Sequence, residues 1–145
     1  MAEPDQEDRS TGPVLRIVGR VRSPLTELSD APRQGDEGAP EAWIDFDPGV
    51  TDAARDLERG EPLVVLTWLD RGDREVLAVH PRDDANRPLT GVFSTRSPDR
   101  PNPVGLHSVI VREVEPTRIR VSGLEAIDGT PVIDIKPELT DPGRR

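Results

Sequence analysis

The chain has 145 residues, with 16 prolines, 12 glycines, two histidines, no cysteine, and 28 acidic against 19 basic side chains. That length suits one domain with tails and is too short for two substantial cores. Without cysteine there is no disulfide framework, thiolate nucleophile or cysteine-ligated metal, and the cytoplasm is the expected compartment. The acidic start Met-Ala-Glu-Pro-Asp lacks the positive flank and apolar run of a signal peptide, and the chain has no apolar stretch long enough to span a bilayer, so no membrane attachment is expected.

The net charge of −9 argues against coating nucleic acid by bulk electrostatics. Its distribution is uneven: residues 1–60 hold 7 basic and 14 acidic side chains, whereas residues 71–120 hold 9 and 7. An anionic partner is therefore expected at the later half, and every basic residue except Lys136 is arginine, whose planar fork suits phosphate and carboxylate. Codon bias accounts equally simply for the arginine preference.

Residues 1–13 read as a disordered acidic tail. Leu15, Ile17, Gly19 and Val21 then alternate with Arg16, Val18, Arg20 and Arg22, the period of a half-buried strand. Residues 24–40, rich in proline, glycine and charge, read as a long loop, and loops of that length are often functional. Ala42, Ile44 and Phe46 share one face of a second strand. Thr51 is positioned to cap a short helix with Ala53, Ala54 and Leu57 on its apolar side, ended by Gly60 and Pro62 and laid across a barrel mouth. Leu63 to Leu69 is apolar except for Thr67, which predicts a strand buried on both faces. Further strands are predicted over 75–80, 91–94, 108–114, 118–121 and 132–135. Seven or eight short strands with one helix make an all-β fold, an antiparallel barrel or sandwich.

His80 and His107 stand 27 residues apart with no metal-ligand spacing around either, so no metal site is expected and a structural role for each ring is the simpler reading. No P-loop, nucleophile elbow or dinucleotide-binding glycine motif is present. Two segments are dense in unusual residues. In Gly91-Val-Phe-Ser-Thr-Arg-Ser-Pro-Asp-Arg-Pro-Asn-Pro-Val-Gly105, three of the prolines stiffen a loop bearing Arg96, Arg100 and Asn102. Those donors suit an anion or a base edge, or else pair with Asp99 and neighbouring acids. In Gly123-Leu-Glu-Ala-Ile-Asp-Gly-Thr-Pro-Val-Ile-Asp-Ile-Lys-Pro137, Asp128-Gly129 is a hairpin signal, and Asp134 and Lys136 point to one face as a polar pocket or an ion pair.

These two segments closely resemble the TsaA-like, TrmO-type family, as do Val18-Gly-Arg-Val-Arg-Ser-Pro24 and Ala31-Pro-Arg-Gln34. The resemblance covers residues 14–139, which it marks as the methyltransferase domain between the tail at 1–13 and a second tail at 140–145. It implies a β-barrel enzyme dependent on S-adenosylmethionine, dimeric, with cofactor pockets near the subunit interface. The implied reaction methylates N6 of threonylcarbamoyladenosine beside the tRNA anticodon. Carried over by position, the cofactor residues are Arg33, Gln34, Gly35, Asp36, Gly72, Asp73, Arg96, Leu106, Gly129, Thr130, Pro131 and Val132.

These residue types suit a ligand with a carboxylate, an ammonium and an adenine: an arginine forks the carboxylate, a glycine turn offers N–H and C=O groups, and apolar side chains wall the base. Methyl transfer is an in-line displacement that gains most from alignment. Asp128 is the candidate base for the weakly nucleophilic amine, with Arg96 or Asn102 orienting the acceptor; Asp128 serving only its turn is the simpler alternative. For tRNA, Arg82, Arg87, Arg100 and Arg112 are the candidate phosphate contacts. The alternative functions are a methyltransferase of the same fold acting on a small molecule or peptide, and a ligand-binding barrel without turnover.

Overall fold

The computed structural model describes residues 12–26 and 40–139. The N-terminal tail up to residue 11, the C-terminal tail at 140–145 and the first-loop candidates Arg33, Gln34, Gly35 and Asp36 lie outside the described residues. Eight strands are present: β1 (Gly19–Arg22), β2 (Ala42–Phe46), β3 (Pro62–Trp68), β4 (Ala78–Val79), β5 (Thr90–Gly91), β6 (Val104–Glu115), β7 (Arg118–Ser122) and β8 (Pro131–Pro137). Six of them close into an antiparallel barrel in the order β1-β2-β7-β6-β3-β8, while β4 and β5 pair as a separate small ladder. The all-β barrel expected from the strand pattern is therefore present, with a smaller ring than the full strand count.

Alternation fills the barrel. Val21, Ile44, Leu63, Val65, Val109, Val111, Ile119, Val121 and Val132 point inward and are buried, each side chain contributing about 1.5–3 kcal/mol of transfer free energy. Gly19 permits the close approach of β1 to β2, since a Cβ there would lie 2.7 Å from the Asp45 carbonyl oxygen. On the outer wall of β2 and β7, Trp43 stacks under Arg118 at 3.8 Å from guanidinium carbon to ring centroid, while Arg120 binds Glu41 and Glu113. Those carboxylates raise both arginines above the ordinary guanidinium range, Glu115 through its hydrogen bond to Arg118 and Glu113 through its bond to Arg120.

Several elements differ from the sequence reading. β3 is buried on its inner face only, because a barrel has one interior; Val64, Leu66 and Trp68 face outward and stay half-buried. The expected helix is a 3₁₀ segment (Pro48–Ala54) capped by Asp47, whose carboxylate accepts from Gly49 N, and not by Thr51. Proline at its first position explains the earlier start. The strands predicted over 75–80 and 91–94 shrink to β4 and β5, and Val92–Ser94 forms a 3₁₀ turn. β6 begins at Val104, earlier than predicted.

Asp128-Gly129 does make a turn, with Gly129 at φ +86°, yet no hairpin forms around it. β8 pairs with β1 and β3, not with β7. Leu124, Ala126 and Ile127 are buried and turn the intervening segment inward over the core, so β8 enters the ring on the far side of it.

The antiparallel registers place the ends of β1, β3 and β7 and the starts of β2, β6 and β8 around one mouth of the barrel, here called the upper mouth. Gathered there are the described ends of the β1–β2 connection, the long excursion from β3 through β4 and β5 to β6, and residues 123–130.

Candidate functional site

The catalytic and cofactor candidates within the described residues lie on strands and connections at the upper mouth. Gly72 and Asp73 follow β3, Arg96 and Asn102 lie in the proline-rich stretch before β6, Leu106 stands near the head of β6, and Asp128 to Val132 lead into β8.

The two halves of the β3–β6 excursion are fastened to each other. Asp73 N donates to the Asp99 carboxylate at 2.9 Å, Leu69 N to the buried Pro103 carbonyl at 2.7 Å, and Arg74 Nε to the Pro101 carbonyl at 2.7 Å. Arg74 also reaches Asn102 Oδ1 at 3.1 Å while its guanidinium lies 5.2 Å from the Trp68 ring centroid. Gly72 packs so closely that a Cβ would sit 2.2 Å from the Pro98 carbonyl oxygen. Arg100 folds back on its own loop, Nη1 donating to the carbonyls of Thr95 and Ser97 at 2.9 and 3.1 Å. Arg100 is thus half-buried and gives Nη1 to its own turn, which departs from the exposed phosphate contact expected of it. Arg82, Arg87 and Arg112 are exposed; Arg87 lies 3.8 Å from Asp84, and Arg112 donates to Ser122 on the outer wall.

Arg96 is different. It is exposed on this fastened loop and makes no hydrogen bond or ion pair among the described residues. A rigid support holding an uncommitted guanidinium is the arrangement that recognises a carboxylate or phosphate. Leu106, 46% exposed, faces outward on β6 beside Leu66 of β3 and supplies an apolar wall.

The turn into β8 is more committed than its sequence suggests. Gly129 N donates to Val21 O and its carbonyl accepts from Arg20 Nη1, so both groups of this half-buried turn already have partners. Thr130 is buried with its hydroxyl donating to Ile127 O at 2.7 Å, and Pro131 and Val132 are buried too. Asp128 is exposed, its carboxylate accepting from Ser23 N at 3.1 Å and its own N–H donating to Leu25 O. It therefore ties the exit of β1 to the turn. Asp134 and Lys136 face outward as expected and form an exposed ion pair at 3.2 Å, not a pocket.

A buried polar chain went unread in the sequence. His107 Nδ1 meets Glu125 Oε1 at 2.5 Å and Nε2 meets Thr67 Oγ1 at 2.7 Å. A carboxylate oxygen only accepts, so Nδ1 carries the proton of that bond, while Nε2 shares the second bond with a threonine hydroxyl able to donate or accept. Hydroxyl, imidazole and carboxylate stand in the order of a hydrolytic triad, but Thr67 is fully buried and no acyl substrate reaches it. His107 at an inward position of β6 was the one signal available. His80, by contrast, is exposed, with Nδ1 on the Arg87 carbonyl at 2.8 Å. Among the described residues no cluster of histidine and acidic side chains is arranged to hold a metal, and no helix is long and apolar enough to cross a membrane.

A family model described as the tRNA-methyltransferase O N-terminal domain matches residues 20–141. A probable S-adenosyl-L-methionine-binding protein of Methanothermobacter thermautotrophicus is 49% identical over 127 residues, covering 88% of this chain and 90% of the relative. Another from Archaeoglobus fulgidus is 46% identical over 123 residues, 85% of this chain but 33% of its own length. Among solved structures, a crystal structure of TrmO from Pseudomonas aeruginosa superposes with a TM-score of 0.71 at 27% identity, over 92% of this chain and 57% of that one. A further TrmO structure gives 0.71 at 28% identity, with 62% of its chain covered. The chain thus spans nine tenths of the first of these relatives and a third of the second.

Proposed function

Because the chain belongs to the family of the tRNA-methyltransferase O N-terminal domain, we propose that it binds S-adenosylmethionine at the upper mouth and transfers the methyl group to N6 of threonylcarbamoyladenosine beside the tRNA anticodon. The observation that carries this reading is the position of the described catalytic and cofactor candidates at one mouth, with Arg96 on a fastened loop and without a partner among the described residues.

The donor set fits the cofactor. Arg96 suits its carboxylate, the exposed Asp73 its ammonium, and Leu106 its adenine. The Gly129 turn contributes shape, since its backbone groups are already bonded. When bound, the cofactor supplies an electrophilic methyl on a cationic sulfur. The protein's part is to hold the acceptor nitrogen in line and to exclude water, which suits a loop stiffened by prolines and by the Arg74 contacts. Asn102 spends its amide oxygen on Arg74 and keeps its NH₂ for an acceptor carbonyl. Asp128, exposed beside the turn, is the carboxylate assigned in this reading to take the proton lost from the amine.

The family match and the uneven arginine distribution favour tRNA as the acceptor; the net charge of −9 favours a small acceptor. The molecule works as a homodimer in this reading, in the cytoplasm. An outward apolar stripe of Val64, Leu66, Trp68, Val104 and Leu106 on β3 and β6 supports the dimer. Transfer of labelled methyl from S-adenosylmethionine to threonylcarbamoylated tRNA, read by nucleoside mass spectrometry, tests the acceptor. Activity on that tRNA and none on unmodified tRNA is expected, whereas methylation of a small amine alone overturns the tRNA reading.

A further inference from the structure

One polar chain crosses a barrel wall otherwise built from valine, isoleucine and leucine. Glu125, His107 and Thr67 are bonded in series, and the side chains of the histidine and glutamate are 4% and 15% exposed. Apolar side chains of similar shape would seal this wall with equal or better stability. The chain therefore does something that packing alone would not.

Its three members ride on three different segments of the upper mouth. Thr67 lies at the end of β3, just before the turn with Gly72 and Asp73. His107 follows Leu106 on β6, at the exit of the loop that carries Arg96. Glu125 belongs to the segment that delivers Asp128 and Gly129. The backbone of Gly105 is packed into the middle of the chain, because a Cβ there would lie 2.3 Å from Thr67 Oγ1 and 2.7 Å from His107 Nε2. Hydrogen bonds are directional where apolar contacts are not, so this chain fixes the spacing of those segments more narrowly than a Leu–Val contact would.

We infer that Glu125, His107 and Thr67 form a positioning device that sets the mutual placement of the three site-bearing segments, and through it the affinity for the cofactor, without touching the cofactor. This rests on the cofactor reading above. His107 and Glu125 are positioning residues, and the effect of losing either one is the effect of losing the unit.

The test uses the full chain, with S-adenosylmethionine binding followed by calorimetry well below the melting transition, and amide hydrogen exchange over residues 125–130 without ligand. Glu125→Ala, His107→Leu and the double variant should each weaken binding by about tenfold, with the double no worse than either single. Exchange over 125–130 should accelerate in all three. Glu125→Gln, whose amide oxygen still accepts from Nδ1, should bind within about threefold of the parent. A purely structural role would lower the melting temperature and leave affinity unchanged, and that result overturns the inference, as does additive loss in the double variant. If the larger changes do not fold, Thr67→Val removes only the hydroxyl and decides: parent-like affinity overturns the inference, and weaker binding supports it. Parent protein that fails to bind S-adenosylmethionine overturns the cofactor reading itself, whereas binding by the parent with equal binding by every variant overturns this inference alone.

Discussion

At the scale of single residues, what matters is which side chains have donors left to give. Arg96 has no partner among the described residues, whereas Arg100 commits Nη1 to two carbonyls of its own loop, although both stand in one proline-rich run. Arg96→Ala should leave stability within about 0.5 kcal/mol, as for an exposed surface change, and weaken cofactor binding by about 1.5–3 kcal/mol, the range of hydrogen bonds to charged groups. Calorimetry and thermal melting on one preparation check both, and unchanged affinity would remove Arg96 from the site. Gly72→Ala should act first on stability. Its Cβ meets a backbone carbonyl that cannot rotate away, so a loss of about 1–3 kcal/mol is expected in urea unfolding. The sequence could flag Arg96 because loop arginines between prolines are visible as such. It could not reveal the His107–Glu125 bond, which joins residues 18 apart through a register and a loop path that only the closed barrel defines.

Among the elements, alternation was the dependable signal and continuous apolarity the misleading one. β2 and β7 were legible because one polar face alternates with one apolar face, whereas of the run predicted from Leu15 only Gly19–Arg22 forms β1 and Leu15 itself is exposed. β3 was read as doubly buried since Val64, Leu66 and Trp68 are apolar too, and only the topology shows that this second face lies outside the ring. The Asp-Gly dipeptide correctly announced a turn but said nothing of pairing partners, which long-range packing of Leu124 and Ile127 decided. Asp128 links that turn to the exit of β1. Asp128→Ala should cost about 1 kcal/mol of stability for one lost hydrogen bond. If the carboxylate also takes the amine proton, kcat should fall by about a hundredfold with KM little changed. Steady-state kinetics and melting separate the two roles, and a fall in stability with kcat intact would leave Asp128 with the turn alone.

For the whole molecule, charge and apolar surface point in two directions. On the stripe of β3 and β6 Val104 and Leu106 are exposed beside half-buried Val64, Leu66 and Trp68, and under the proposed dimer a second copy of the chain would cover them without any new chemistry. Light scattering at about micromolar to tens of micromolar concentration should therefore find twice the 15.9 kDa chain mass, with a melting temperature that rises with protein concentration. Leu66→Glu, which faces outward on that stripe, should yield a folded monomer. For the acceptor, replacing Arg82 and Arg87 by alanine should reduce the slope of log affinity for tRNA against log salt, by somewhat under one unit per lost phosphate contact. A slope identical to the parent's would assign both arginines to the protein's own surface.

The ring is completed where β1 meets β8, by the pairs Gly19↔Val132 and Arg20↔Pro131, more than a hundred residues apart in the chain. Adjacent pairs such as β6 and β7, joined by a two-residue turn, form at little entropic cost, but the final seam must wait until nearly the whole chain has been threaded into place. A nascent chain still held at its C-terminus therefore has an open sheet with β1 and β3 exposed as edges, and the upper mouth does not yet exist. Ligand binding competence should thus arrive all at once with the last strand and not grow in with the earlier ones.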